Sequence, residues 1–325
     1  MMKSMIKAFL CGAVMALLAA IVAPAQATVD QGMALEKQGK YSQAQKVYEE
    51  AIAKNPQDAA AHYRIGMIHI QHSQKAELAL PWLEKAVALE GNNAEYHFRL
   101  GQAYGTLARY ASLIKQPGLV RSAREHLELA LRYNPRDLEH HLAMIQFYME
   151  APAILGGSYS KAHQQADELM KLNAPEGHLA HGNVYASQGD KSKAIESYLK
   201  ALAGKPGDSR ITSNLGILYL HTGNYDEAIV HLKNFTDKVP GSGEGFYYLG
   251  DAYFKKGMNP EAANAFAQAI RKAPDYAPSY FDMAQCQERM GRKQEALNYY
   301  RQFVDKFPNV PRAPAARKKI SELGG

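Results

Sequence analysis

Histidine has the widest chemical reach of the residue types here, and twelve occur among 325 residues. His62, His69 and His72 fall in one stretch, and His178 with His181 in another. On a helix, spacings of three and seven put side chains on one face, where imidazoles could converge on a metal ion or a haem. A ligand set also asks for cysteine or carboxylate at matching positions, and none is placed among these histidines. Neither His-Glu-x-x-His nor Cys-x-x-Cys-His occurs. Ser158-Tyr159-Ser160-Lys161 fits Ser-x-x-Lys without any companion motif. Gly204-Lys205-Pro206-Gly207-Asp208-Ser209 lacks the Gly-x4-Gly-Lys-Ser/Thr order of a phosphate-binding loop. The expectation is therefore no catalytic residue, no metal and no cofactor. The competing reading is a metal- or haem-associated accessory protein that uses the clustered histidines.

Composition sets the frame for whatever holds these residues. Hydrophobic residues make 46% and charged residues 22%, while Gly and Pro together make 40 of 325, which excludes collagen-like, disordered and disulfide-scaffold chains. Residues 1–27 read as a secretory signal peptide: Lys3 and Lys7, an apolar run from Ala8 to Ala23, then Ala25-Gln26-Ala27 with cleavage after Ala27. That run falls short of the ~20 residues a bilayer span requires. Taking Lys3 and Lys7 away leaves 36 basic against 32 acidic residues, a charge of +4, too mild to imply a nucleic-acid partner. Cys286 remains alone, so an exported chain keeps no internal disulfide and depends on packing.

The elements come from a repeat. A small residue, a bulky apolar one four later, a small one seven later and Pro twelve later recur as Ala44, Tyr48, Ala51, Pro56 and as Ala194, Tyr198, Ala201, Pro206. Ala262, Phe266, Ala269, Pro274 and Ala123, Leu127, Ala130, Pro135 repeat it, and weaker copies start at Ala79, Ala162, Ala228 and Ala296. Successive starts lie 35, 44, 39, 32, 34, 34 and 34 residues apart, which makes eight units of one period. Upstream of each start an i, i+3, i+4, i+7 pattern gives a first helix, a Gly-x-Tyr or Gly-x-Asn turn follows, and Pro ends the second helix. The unit is a helical hairpin. Two insertions break the period, near 105–118 and 151–158, and are candidates for special work.

At these positions the chain resembles the tetratricopeptide repeat family over about 28–310, with the first-helix glycine at Gly32, Gly66, Gly101, Gly182, Gly216 and Gly250. The pattern departs at Ile145, at Ala284 and in the fourth copy, where Ala166 and Leu169 exchange sizes. The resemblance implies an all-α, right-handed superhelical solenoid of about eight helix-turn-helix units over 28–310. A capping helix follows within 311–325, with Ala313, Ala316 and Ile320 inward and Arg317, Lys318 and Lys319 outward. The histidines at 62, 97, 141 and 178 stand where that family usually carries a large aromatic, which favours packing over ligation.

The resemblance also implies an inner face along the first helices that grips other chains. That stripe falls on Tyr63, Met67, Ile70, Phe98, Gln102, Leu142, Gln146, Leu179, Asn183, Ile217, Leu220, Tyr247, Asp251, Phe254, Phe281 and Gln285, an apolar and aromatic groove. Such a groove suits an amphipathic helix or an extended apolar segment. Members that clamp a terminal carboxylate use Lys and Asn on the stripe, and here Asn183 alone matches. The expected protein is a non-enzymatic periplasmic scaffold for one or more proteins or peptides in envelope assembly or export. It would have no nucleic-acid partner and no integral membrane span after processing.

Overall fold

The structure, a computed structural model, describes residues 29–71 and 75–324. The signal-peptide reading and His72 lie outside the described residues. The chain divides into two compact units, one ending at Gln165 and the other starting at Ala166. In the first unit run α1 (29–37), α2 (Tyr41–Lys54), α3 (Ala59–Gln71), α4 (Ala76–Leu89), α5 (Ala94–Tyr110), α6 (Gln116–Tyr133) and α7 (Leu138–Glu150). A 3-10 turn at Ala153–Leu155 follows, then the start of α8 (Tyr159–Leu172), inside which the boundary falls. The second unit holds α9 (Ala174–Gln188), α10 (Lys191–Gly204), α11 (Ser209–Thr222), α12 (Tyr225–Lys238), α13 (Gly243–Lys256), α14 (Asn259–Lys272), α15 (Ala277–Arg289), α16 (Lys293–Lys306) and α17 (Ala313–Gly324). Among the described residues every element is helical.

The local rules that make hairpins are visible at their ends. First helices open on side-chain caps: Asn93, Asp137, Asn173, Asp208 and Ser242 each accept from a backbone N–H of the first turn. Between the two helices of a pair, Gly223 and Gly257 take φ of 83° and 86°, the left-handed stop, while Asn224 and Met258 donate back to Tyr219 and Tyr253. Each pair then packs face to face, α3 on α4, α5 on α6, α9 on α10, α11 on α12, α13 on α14 and α15 on α16. Second helices also pack on the next first helix within a unit, as α4 does on α5 and α12 on α13.

The seam explains the repeat letters. Ala44, Ala79, Ala86, Ala130, Ala194, Ala201, Ala228, Ala262, Ala269 and Ala296 are fully buried, which lets the helices approach to about 8–10 Å. The bulky residue between them lies on the first-helix glycine. A methyl group on Gly66 would meet Leu83 at 2.8 Å, on Gly216 Leu232 at 2.6 Å and on Gly250 Phe266 at 2.7 Å, and on Gly32 and Gly182 it would strike Tyr48 and Tyr198. The second unit closes on α17, whose Ala313 and Ala316 pack with Tyr300 and Phe303. Of the outward lysines, Lys319 instead bonds Glu288 at 2.7 Å, and Arg312 just before α17 bonds Asp282 at 2.8 Å. Those two pairs tie the closing helix to α15.

Candidate functional site

The first insertion lengthens the third hairpin beyond its seam. Residues from Gly105 to Tyr110 continue α5, a turn over 111–115 follows, and α6 starts at Gln116, whose Nε2 donates to the Ala108 carbonyl at 3.2 Å. The second insertion folds back onto the first: Leu155 is buried against Ala108 and Val120, and Ser158 donates its backbone N–H to Tyr148 at 2.8 Å. Small residues, Gly101, Ala103, Gly105, Ala123, Ala143 and Ala151, then leave a cleft of about 690 Å³ between α5, α6 and α7. That volume is in the range of ligand and peptide sites.

Its lining is neutral and rich in amides. Gln102, Gln116 and Gln146 reach it, with Thr106, Phe147 and Ile70. Across it Arg109 donates to Glu150 at 2.8 Å, and Gln146 donates to the other carboxylate oxygen of Glu150, also at 2.8 Å. Gln102 Oε1 accepts from Arg99 at 3.0 Å, and the Gln102 backbone carbonyl accepts from Thr106 at 2.9 Å. Both ionised groups lining the cleft are thereby paired with each other. The period break pointed to both inserted segments; the Arg109–Glu150 pair carries no motif and is read only from the structure.

Of the stripe expected from sequence, Ile70, Gln102 and Gln146 come together at this cleft. Seven others are buried and do not line an open wall: Met67, Phe98, Leu179, Leu220, Tyr247, Phe254 and Phe281. The reason is packing between neighbouring hairpins, since Phe98 meets Leu127 and Met144, Leu179 meets Tyr198 and Leu215, and Phe281 meets Tyr300 and Phe303. Leu220 lies with Ala228 and Leu249, and Tyr247 and Phe254 close over Phe266. The remainder are half-buried and engaged: Tyr63 donates to Glu95 at 2.8 Å, Asn183 accepts from Tyr198 at 2.8 Å, and Asp251 pairs with Lys255 at 3.0 Å. Leu142, Ile217 and Gln285 are half-buried as well. Those seven belong to the core seam, and the cleft that Ile70, Gln102 and Gln146 reach is lined by apolar side chains together with amides.

The tetratricopeptide repeat sequence pattern matches residues 29–94, 156–209, 179–242, 213–278 and 247–311. The chain belongs to the tetratricopeptide repeat family. The stretch from 95 to 155, which builds the cleft, falls between those matches. Among known proteins the chain is 25% identical over 200 residues to the BBSome complex member bbs-4 of Caenorhabditis elegans, covering 61% of this chain and 42% of that one. It is 26% identical over 228 residues to a peroxisomal targeting signal receptor of Candida albicans, covering 61% and 38%. The chain thus spans about two fifths of the length of these relatives. Among solved structures it is similar in fold to PilW, a type IV pilus biogenesis factor, at 18% identity and TM-score 0.55, over 69% of this chain and 98% of that one.

Seen as positions of a tetratricopeptide repeat, three of the histidines act as turn clamps. His62 Nε2 donates to the Pro56 carbonyl at 3.2 Å, His97 Nε2 to Gly91 at 3.1 Å and His141 Nε2 to Pro135 at 2.9 Å, each six residues back. Tyr280 does the same to Pro274 at 3.0 Å in the last hairpin, so imidazole and phenol are interchangeable here. With Nε2 donating, neutral His97 accepts at Nδ1 from His126 at 2.9 Å, and burial first, then His97, lowers the pKa of His126. His181 is bound to Asp167 at 2.9 Å rather than aimed at His178. Among the described residues no group of three His, Cys, Asp or Glu is placed to hold a metal.

Proposed function

We propose that this chain is an exported, non-catalytic scaffold of the bacterial envelope that holds an extended segment of a partner protein in the cleft of the third hairpin. The carrying observation is the cleft itself, walled by Gln102, Gln116 and Gln146 and crossed by a self-neutralised Arg109–Glu150 pair. Amides offer both a donor and an acceptor, which is what an extended backbone presents; an unpaired charge, which would select a charged ligand, is missing from the lining. Membership in a family of peptide- and protein-binding repeats supports the scaffold reading. Export rests on the basic, apolar and small-x-small order of residues 1–27, and no helix among the described residues is long and apolar enough to cross a membrane.

The test is a photoreactive residue at Gln102 or Gln146, with Val230 as a distant control, in cells that make the chain. Crosslinks that map to one extended segment of one partner, from 102 and 146 but not 230, support the proposal. Capture from 230 alone, or from none of the three, overturns it. Intact mass of the chain from the periplasmic fraction checks export separately: a mass beginning at Thr28 is expected, and an uncleaved cytosolic chain would remove the envelope part.

A further inference from the structure

The tip of the third hairpin carries a group of side chains that the packing of the fold leaves exposed, of which only Tyr110 also reaches the cleft. Leu113 and Ile114 are 87% and 92% exposed, Tyr110 is 86% exposed, and Ile154 in the second insertion is 93% exposed. They stand at one end of the hairpin, since Leu155 next to Ile154 packs on Ala108 and Val120, which flank the turn that carries Leu113 and Ile114. Elsewhere among the described residues, large apolar side chains reach at most 66% exposure, at Val230. Scattered exposure of that kind is ordinary, whereas four apolar side chains projecting from one end mark a contact surface.

The charge around the tip selects the occupant. From Tyr96 to Arg124 the chain has Arg99, Arg109, Lys115, Arg121 and Arg124 and no acidic residue. Glu150 neutralises Arg109, Glu95 pairs with Arg99 and Glu128 with Arg124, while the Lys115 and Arg121 side chains form no ion pair among the described residues. Aliphatic and tyrosine side chains projecting between unpaired cations match a bilayer interface, where the apolar tip enters below the headgroups and the cations meet anionic phosphates.

We propose that the 110–115 turn, with Ile154 beside it, inserts into an anionic phospholipid surface and docks the first unit on a membrane. The apolar run in residues 1–27 could itself bring a full chain to vesicles, so the test reads the tip locally. Leu113→Cys is made in a Cys11→Ser chain and labelled with a polarity-sensitive fluorophore; Cys286 is buried with its thiol pushed up to about 11 and escapes the label. Val230→Cys serves as the control. With vesicles of phosphatidylglycerol in phosphatidylcholine, the label at 113 should shift to the blue and lose access to an aqueous quencher by roughly tenfold, while the label at 230 does not change. High salt or phosphatidylcholine alone should weaken the shift. In sedimentation, Leu113→Asp with Ile114→Asp should lower vesicle binding about tenfold without moving the melting temperature, because both side chains are solvent-exposed. No shift at 113 on vesicles that carry the chain, an equal shift at 230, or shielding of 113 by protein in the absence of lipid each overturns the proposal, the last in favour of a protein surface.

Discussion

The α13–α14 and α5–α6 hairpins are built on one seam and end differently. In α13–α14 both helices have 14 residues, Phe266 fills the place above Gly250, and nothing extends past the interlocked turns. In α5–α6 the helices have 17 and 18 residues, a methyl group on Gly101 would meet Leu127 at 3.0 Å, and the extra turn of α5 is covered by Val120 and Leu155 at Ala108 while its Gly105 side opens on the cleft. A methyl group on Gly105 would find Ala123 at 4.0 Å, ordinary contact distance. One glycine is a close-approach requirement and the other is space. The repeat supplies stability where its letters interlock, and a cavity where helix length outruns them.

Substitutions at these places should separate the two. The largest effect is expected for Gly250→Val, which drives a branched side chain into the Phe266 ring and should cost about 3 kcal/mol, with Ala228→Leu in the next seam costing about 1–3 kcal/mol. Chemical denaturation measures both, and an unchanged midpoint would mean the seam is looser than its geometry. Next comes Arg210→Ala. Arg210 binds both oxygens of buried Glu176, at 2.6 and 3.1 Å, from one repeat away, and its loss leaves a carboxylate without its main partner, at about 2 kcal/mol. Gly105→Ala runs the other way. It removes the helix penalty of glycine without a clash and should stabilise the chain by about 0.5–1 kcal/mol while narrowing the cleft; destabilisation would show that the cleft is already filled.

Sequence alone made the hairpins legible because their signals are local or strictly periodic: caps, glycine stops, and alanines at fixed offsets. Which turn of a first helix faces its neighbour depends on the rotation between successive hairpins, and no residue letter encodes that angle. Phe98, Phe254 and Phe281 therefore read as a groove when they are in fact the wedge between repeats. The cleft was half legible, since a period of 44 where 34 is usual exposes an insertion. That Leu155 would dock on Ala108, and Arg109 reach Glu150, needed the fold.

Acid should distinguish the buried histidines from the ion pairs. Burial lowers His62, His69 and His126 in the first unit and His178 and His231 in the second from the usual 6.5, so the folded chain prefers the neutral rings. The unfolded chain takes up protons first, and stability should fall in both units as pH drops through 6.5 and below. Glu176 and Asp208 are shifted the opposite way for carboxylates, each held low first by Arg210. Their contribution is complete above the usual carboxylate range and is lost only as pH falls beneath about 4, where the unfolded chain protonates first. Hydrogen exchange across a pH series should show two steps around α9–α11 and one step around α3. Replacing His62 by Tyr, the residue that clamps Pro274 from position 280, should keep the turn and weaken the first step; an undiminished step would place the acid-sensitive group elsewhere.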